Sequence, residues 1–277
     1  MAKQTVAFLG PLGTYSHLVT EKRFGKNSEL VPLSGILDVC TFVARHKGAK
    51  GIIPIENSSG GTIHETIDIL LTRRPRIYIE EELTLHVRLA LLGHRDCPIK
   101  KLHSHFVPLE HCSSWIRKNI GRNVDKIAEP STAIAAVHAT VDPYAAALGG
   151  RHLAKQFGLE ILEFPVESET PNITTFVVIT NRKPQTPTGS KITLGIRLPN
   201  TPGSLYRLLG VFEQADINLS RLVSRPIRGE HKEYAFLVDI DGDLSQPAVK
   251  RAINAAKKVC MTMHICGCYP CHKPYNS

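Results

Sequence analysis

Short apolar runs alternate with amphipathic segments along residues 5–180 of the chain. The runs are rich in β-branched residues, which favour buried strands, and the segments between them have helical periodicity. The predicted strands include Thr5–Leu9, Gly51–Ile55, Leu102–Ser104, Leu159–Phe164 and Val177–Thr180, and the predicted helices include Ile36–His46 and Ile63–Leu71. This alternation predicts an α/β fold with ligand sites at the carboxyl ends of its strands.

A long apolar stretch, Ile77–Leu92, interrupts the alternation. It begins with alternating polarity, becomes continuously apolar, and is long for a single strand. We interpret it as the segment that carries the chain from one lobe into a second lobe at about residues 87–160. Residues 1–181 are therefore predicted to form two lobes.

A second pattern follows a polar, proline-containing segment at residues 182–190, which is typical of a linker. Its predicted strands are Ile192–Leu198, Leu219–Ser224, Tyr234–Ile240 and Met261–Tyr269, and its predicted helices run from Pro202 to about Gln214 and from Ala248 to Val259. The order β-α-β-β-α-β is the ferredoxin-like arrangement. We therefore predict a separate C-terminal domain at residues 191–277.

The loop Gly10–Ser16 follows the first predicted strand and combines glycines with hydroxyl residues before a helix. Loops of this kind present free N–H groups to an anion. Alternatively, Thr14 or Ser16 only caps the helix. The sequence leaves both interpretations open.

Similar loops follow other predicted strands. Glu56–Thr62 is polar and glycine-rich. Its Glu56 is either a general acid or base or a buried carboxylate that anchors the loop through backbone N–H groups. The segment Asn172–Phe176 places two adjacent threonines at the start of a strand, where a pair of hydroxyls can be aimed at a ligand. The loops near residues 13, 58, 104, 132 and 174 are predicted to converge in one cleft between the two lobes.

Composition excludes several classes of protein. The formal charge is +9, but the basic residues are scattered and aromatic residues are few, so a nucleic-acid partner is not expected. A basic chain suits a site for small polyanions. No apolar run has membrane-spanning length, and Thr5–Leu9 is shorter than the apolar core of a secretory signal, so we expect a cytoplasmic protein without a membrane partner.

The seven cysteines are an odd number, which favours reduced thiols over a disulfide framework. The segment Cys266–His272 has spacings that zinc sites use, but it overlaps the last predicted strand, so a reduced cluster at the strand end is the preferred interpretation. His17, His64 and His138 share no spacing and are assigned no ligand role. The sequence therefore predicts no metal and no cofactor.

Several ordered motifs resemble those of bacterial and archaeal prephenate dehydratases with a C-terminal ACT regulatory domain. Gly10–Ser16 is similar to the family's G-P-x-G-T-[YF]-S, and Pro54–Ser58 to its P-I-E-N-S. Pro199–Leu205 resembles the ligand loop of the ACT domain, Ser224–Pro226 the end of its E-S-R-P motif, and Gly267–Pro270 its terminal G-S-Y-P. The resemblance covers nearly the whole chain.

The resemblance implies a two-lobed, periplasmic-binding-protein-like catalytic domain with a ferredoxin-like (βαββαβ) ACT domain. It implies decarboxylative dehydration of prephenate to phenylpyruvate, in phenylalanine biosynthesis. Thr174 falls on the catalytic threonine of the family's T-R-F motif. The implied substrate-binding residues are Thr14, Asn57, Ser58, Ser104, Thr132 and Thr175.

The ACT-like half implies control by phenylalanine and assembly into a homodimer or homotetramer. By resemblance, ACT units pair side by side and bind an amino acid at the shared edge. The residues implied in phenylalanine binding are Gly203, Ser204, Leu205, Ser224 and Arg225.

Three motifs depart from those of the family. Thr175 stands where the T-R-F motif has its arginine, and a threonine lacks the charged guanidinium fork that binds a carboxylate. Phe106 and Val107 replace the Pro-Gln of an S-H-P-Q motif, and Val223 replaces the glutamate of E-S-R-P. Three readings follow: a working dehydratase in which another cation has taken over, a non-aromatising prephenate decarboxylase-like enzyme, or a non-catalytic small-molecule-binding relative.

Overall fold

The computed structural model describes residues 3–25, 27–166, 170–183 and 189–277. The first lobe contains β1 (Thr5–Leu9), α1 (Tyr15–Phe24), β2 (Glu29–Leu33), α2 (Ile36–Arg45), β3 (Lys50–Asn57), β4 (Gly61–Thr62), α3 (His64–Thr72) and β5 (Tyr78–Val87). The second lobe contains β6 (Leu89–Gly93), β7 (Lys101–Ser104), α4 (Phe106–His111), α5 (Ser113–Asn119), β8 (Asp125–Ala128), α6 (Thr132–Val141), β9 (Ala145–Gly150), α7 (His152–Phe157) and β10 (Glu160–Val166). The chain then returns to the first lobe as β11 (Asn172–Thr180).

The C-terminal unit contains β12 (Lys191–Arg197), α8 (Ser204–Glu213), β13 (Leu219–Pro226), β14 (Tyr234–Asp241), α9 (Pro247–Val259) and β15 (Thr262–Tyr269), and a short strand, β16 (Tyr275–Asn276), follows it. The predicted order β-α-β-β-α-β is therefore confirmed. The predicted linker includes residues 184–188, which lie outside the described part of the chain.

Two sheets form the two lobes. The first is seven-stranded, in the order β16-β5-β11-β3-β1-β2 with β4 paired to β3, and the second is five-stranded, in the order β10-β6-β9-β7-β8. The stretch Ile77–Leu92, interpreted as one long segment, is two strands separated at the exposed Arg88. The chain crosses between the lobes there and again between β10 and β11.

The lobes share a hydrophobic core. One cluster of buried side chains joins Phe8 and Phe176 of the first lobe to Leu102 and Leu148 of the second. Side chains from the strands of both lobes therefore pack into a common apolar layer, which fixes the position of any site between them.

The C-terminal unit packs on the opposite face of the first sheet. Its four strands have the order β13-β14-β12-β15. Tyr269 and Leu237 from this unit are fully buried in a second cluster with Ile53, Ile79 and Val177 of the first lobe. One face of the seven-stranded sheet thus packs against the second lobe, and the other face packs against the C-terminal unit.

A segment that the sequence did not predict returns from the C-terminal unit to the first lobe. The backbone of Glu82 bonds to Pro270 and His272, and β16 then runs parallel to β5 with Tyr275 opposite Leu85. Ser277 hydrogen-bonds to both backbone groups of Arg88, at the crossing between the lobes. All seven cysteines are free thiols, and within the described residues no helix is long and apolar enough to cross a membrane.

Candidate active site

Strand β11 presents its two threonines to opposite faces of the sheet. Adjacent strand residues alternate in direction, and β11 pairs regularly with β5 from Asn172 to Val178. Thr174 therefore shares a face with Phe176, whose cluster includes the second lobe. Thr175 shares a face with Val177, whose cluster includes the C-terminal unit. The expectation that the two hydroxyls point together at one ligand is wrong, because strand geometry separates them.

Asn57 holds the Thr174 side chain. Its amide nitrogen donates to the Thr174 Oγ1 at 2.8 Å and to the Asn172 Oδ1 at 2.8 Å. Its amide oxygen accepts from the backbone N–H groups of Ser59 at 2.9 Å and Gly60 at 2.7 Å. Because the oxygen must face those two donors, the orientation of the amide is fixed.

The contact with Asn57 determines whether the Thr174 hydroxyl can donate its proton. Its oxygen accepts a hydrogen bond from Asn57, and none of the described residues accepts its own O–H proton. A hydroxyl is both a donor and an acceptor. The partly exposed Thr174 therefore has a proton to donate, on the face of the sheet that the second lobe covers.

Thr14 and Ser58 use their hydroxyls within the protein. Thr14 caps helix α1, since its Oγ1 accepts from the backbone of His17 at 3.2 Å and donates to Leu9 and Pro11. The helix-capping alternative is therefore confirmed for Thr14. Ser58 is exposed, donates to the carbonyl of Pro171 and accepts from the backbone of Ile173, so it fastens the start of β11 to the loop after β3.

The second lobe contributes Ser104 and Thr132. Ser104 is fully buried, and its hydroxyl donates to the carbonyl of Leu148 at 2.6 Å, so it holds β7 beside β9. Thr132 begins helix α6 after the cap residue Ser131. Within the described contacts, the backbone N–H groups of Thr132 and Ala133 have no acceptor, as expected for the first turn of a helix.

A guanidinium lies close to Thr175, the position at which the family's T-R-F motif has its arginine. Thr175 lies directly opposite Glu56 across β3 and β11. The Glu56 carboxylate accepts from Arg221 of strand β13 at 2.9 and 3.1 Å. Arg221 also pairs with Asp239, which is fully buried. Burial acts to lower the pKa of Arg221, but the two carboxylates raise it above its ordinary value, so the side chain stays charged.

Glu56 was predicted to be a general acid or base or a loop anchor. It lies on the face of β3 opposite Asn57, its side chain is 45% exposed, and it anchors β3 to the C-terminal unit and not its own loop. The anchor is a guanidinium and not the backbone N–H groups that the sequence analysis expected. Nothing in the linear sequence links Glu56 to an arginine 165 residues away.

A cavity of about 770 Å³ lies between the lobes beside the loop after β3. Ser58 and Ser59 line it from the first lobe, and its second-lobe wall includes His111, Trp115 and Lys118. Ser59 Oγ and His111 Nδ1 are 2.8 Å apart at this wall. Of the predicted substrate-binding residues, only Ser58 lines the cavity.

The residues predicted to bind phenylalanine fall on two separate elements. Gly203, with φ of 80°, precedes helix α8, Ser204 is buried against Thr201 at 2.9 Å, and Leu205 packs into the core of the unit. Positive φ suits a glycine there. On β13, Ser224 is exposed, whereas Arg225 turns to the other face.

Arg225 is bound by Asp68 of helix α3 at 2.7 and 3.0 Å. Within one copy of the chain, its guanidinium is thus occupied by the first lobe.

Two α/β lobes that share a core and enclose a polar cleft, joined to a ferredoxin-like unit, define a ligand-binding enzyme domain with an attached regulatory domain. The family description "Prephenate dehydratase" matches residues 6–184, and "ACT domain" matches residues 192–258. The chain belongs to the prephenate dehydratase family, a family of lyases, and carries a C-terminal ACT domain.

The bifunctional chorismate mutase/prephenate dehydratase of Aquifex aeolicus is 32% identical over 271 residues, which are 97% of this chain and 74% of that protein. The prephenate dehydratase of Arthrobacter aurescens, solved in complex with L-Phe, has a TM-score of 0.86 at 25% identity and covers 96% of this chain and 90% of its own. GqqA, described as a novel type of quorum quenching acylase, has a TM-score of 0.85 at 27% identity and covers 97% of this chain and 98% of its own. The family's architecture therefore extends over the whole chain.

Proposed function

We propose that this protein is a working prephenate dehydratase, which converts prephenate to phenylpyruvate with loss of carbon dioxide and water in phenylalanine biosynthesis. The observation that supports the proposal is the fixed contact between Asn57 and Thr174, which leaves the Thr174 O–H as a donor. The catalytic residue is Thr174, and Asn57 positions it.

Hydroxide is a poor leaving group, so its departure needs a hydrogen bond or a proton. In the proposed mechanism, the Thr174 O–H donates to the departing hydroxyl of prephenate. The ring carboxylate leaves as carbon dioxide, its electron pair enters the ring, and the C–O bond breaks as the ring becomes aromatic. The hydroxide leaves as water with a proton that solvent ultimately supplies, and aromatisation drives the step.

Prephenate is a dianion, so the site needs groups that bind carboxylates. The first turn of α6 at Thr132 has N–H groups without acceptors among the described contacts, and such groups favour anions. In this proposal they bind one carboxylate, and Ser58 lies at the edge of the same cleft. Thr14 and Ser104 shape the cleft through their backbone contacts.

The loss of the T-R-F arginine is compatible with this activity. Thr175 is on the face opposite Thr174, so an arginine there would point toward Glu56 and the C-terminal unit. Arg221 already supplies a guanidinium to Glu56. We therefore favour the dehydratase over the decarboxylase-like and non-catalytic readings.

The test is incubation of the purified protein with prephenate at mildly alkaline pH, where its spontaneous acid breakdown is slow, with products identified by chromatography and mass. Thr174→Ala is expected to lower the rate by about 100-fold or more. Thr175→Ala is the matched control, because it removes the same atoms on the opposite face, and it is expected to retain activity. A decarboxylated, non-aromatic product would establish the decarboxylase reading, and absence of turnover would establish the binding reading.

The proposal includes control by phenylalanine through the ACT domain. The solved relative from Arthrobacter aurescens was crystallised with L-Phe. Here Gly203, Ser204 and Leu205 would bind the amino acid, with Ser224 at the edge strand of a second copy in a homodimer or homotetramer. Arg225 of that copy would take part after it leaves Asp68 of its own chain. Calorimetry with phenylalanine and sedimentation with and without it test this, and no heat and no change in assembly would contradict it.

We further propose that the functional boundaries follow the sequence prediction, with residues 1–181 catalytic, 182–190 a linker and 191–277 regulatory. The protein would act in the cytoplasm, as the sequence predicts. Fluorescent tagging at the N-terminus, followed by fractionation, tests the location.

A further inference from the structure

Three metal-ligating side chains converge in the second lobe, away from Thr174. His103 comes from β7, Glu129 follows β8, and His138 lies on α6. The Nδ1 atoms of both imidazoles lie 2.7 Å from the same oxygen, Glu129 Oε1. The ligand atoms of the three residues all lie within 4.8 Å of one another.

We propose that His103, Glu129 and His138 form a binding site for a divalent transition-metal ion, with Zn²⁺ as the preferred occupant. Two imidazole nitrogens and one carboxylate oxygen are ligands that zinc accepts, with a fourth position left for water. Two neutral imidazoles and one carboxylate carry a net charge of −1, which favours a dication.

The three side chains must move apart before their ligand atoms have the separations of a zinc site. Ligands about 2.1 Å from a tetrahedral zinc ion are about 3.4 Å from each other. Each of the two contacts of 2.7 Å therefore needs to open by about 0.7 Å. His138 can open its own contact with Glu129, because its side chain is 47% exposed. The side chains of His103 and Glu129 are only 10% and 8% exposed, so the contact between them must open by a rotation within the lobe.

The surroundings give the site a rigid base and an open side. The backbone N–H of Glu129 donates to the carbonyl of Ser104 at 2.8 Å, which fixes the loop after β8 beside β7. The exposed His138 leaves a path for an ion and its water. A bound ion would join α6, whose first residue is Thr132, to the sheet of the second lobe. The site is structural in this proposal.

Calorimetric titration of the full chain with Zn²⁺ tests the site. One equivalent is expected to bind. His138→Ala and Glu129→Gln are each expected to weaken binding by about 100-fold, since each removes or neutralises one ligand. The matched control is His231→Ala, which removes an exposed imidazole from a loop of the C-terminal unit and should leave binding unchanged.

A titration with Co²⁺ distinguishes binding at this site from binding to the free thiols. Binding at the proposed site should give a visible spectrum without a thiolate charge-transfer band, and the spectrum should disappear in Glu129→Gln. Zinc binding that survives in both site variants, or no binding to the unaltered chain, would overturn the proposal and leave the three residues as a hydrogen-bonded network. Circular dichroism confirms that the variants are folded, and no readout depends on prephenate turnover.

Discussion

Arg221 of the ACT domain binds Glu56, the residue next to Asn57 at the end of strand β3, and Asn57 holds Thr174. Strand alternation places Glu56 and Asn57 on opposite faces of β3. One residue of the pair therefore contacts the regulatory domain, and the other contacts the proposed catalytic threonine.

The first prediction concerns Glu56→Gln. A general acid or base normally contributes about 100-fold or more to a rate, so its loss would be evident. Because Glu56 points away from Thr174, we expect kcat to stay within about threefold of the unaltered enzyme, well short of that loss. The pH profile of kcat should also be unchanged.

The same variant should lower thermal stability, because the charge-assisted contact with Arg221 becomes a neutral one. We expect a loss of about 1 kcal/mol in the free energy of unfolding, measured by denaturant titration. A fall of about 100-fold in kcat without misfolding would restore Glu56 as an acid or base.

The second prediction concerns Asn57→Asp. The substitution keeps the size of the side chain and its acceptor for Ser59 and Gly60, but it removes the N–H that donates to Thr174. The carboxylate that it introduces would, when ionised, accept the Thr174 proton, which then could not reach the substrate. We expect kcat to fall by about 100-fold with a smaller change in KM.

Asn119→Asp is the matched control for this variant. Asn119 is exposed on α5, and among the described residues its side chain donates only to the carbonyl of Trp115, at 2.9 Å. Its substitution should leave prephenate turnover unchanged. Equal effects of the two substitutions would show that added charge, and not the lost donor, lowers the rate.

The fold was predictable where local patterns determine it. The strands near Thr5–Leu9 and Gly51–Ile55 and the whole βαββαβ unit follow from apolar runs and helical periodicity. The strand break at Arg88 was missed because both flanking runs are apolar. The return strand Tyr275–Asn276 was missed because two residues carry no periodic signal.

The site was predictable in part. Loop motifs identified Thr174 and Asn57, which the structure brings into contact. The contact between Glu56 and Arg221 and the grouping of His103 with His138 depend on which strands become neighbours. Sequence spacing does not encode such neighbours, so these relationships required the structure.

The third prediction concerns how the stability of the fold depends on pH. Burial acts to raise the pKa of Glu81, but the bidentate contact with Arg23, at 2.6 and 2.8 Å, lowers that pKa below its ordinary value of 4.5. A lowered pKa in the folded state means that the ionised carboxylate stabilises the fold above the unfolded pKa. This stabilisation is lost as the pH falls through the folded pKa.

We therefore expect Glu81→Gln to destabilise the protein at pH 7 by about 1–2 kcal/mol, because the partly exposed Arg23 loses an ionised partner. The difference from the unaltered chain should shrink as the pH is lowered below about 4. Urea titrations at a series of pH values measure it. A difference that is constant with pH would mean that the charge of Glu81 is not what stabilises the fold.

The fourth prediction concerns the return strand. Tyr275 pairs with Leu85, which in turn pairs with Thr174, and Ser277 bonds to the backbone of Arg88 at the crossing between the lobes. Removal of residues 275–277 takes away several backbone hydrogen bonds at about 1 kcal/mol each, so we expect about 2–3 kcal/mol of destabilisation and faster hydrogen exchange along β5. Ser277→Ala is the matched control, because it keeps the strand and removes only its side-chain contacts with Arg88. A loss of about 1 kcal/mol in the free energy of unfolding is expected.

If the strand also links the ACT domain to the lobes, the truncated chain should still bind phenylalanine, while prephenate turnover should respond less to phenylalanine. Unchanged exchange along β5 would contradict the pairing. An unchanged phenylalanine response would place the link in the other contacts between the ACT domain and the first lobe, such as Arg221 with Glu56 and Arg225 with Asp68.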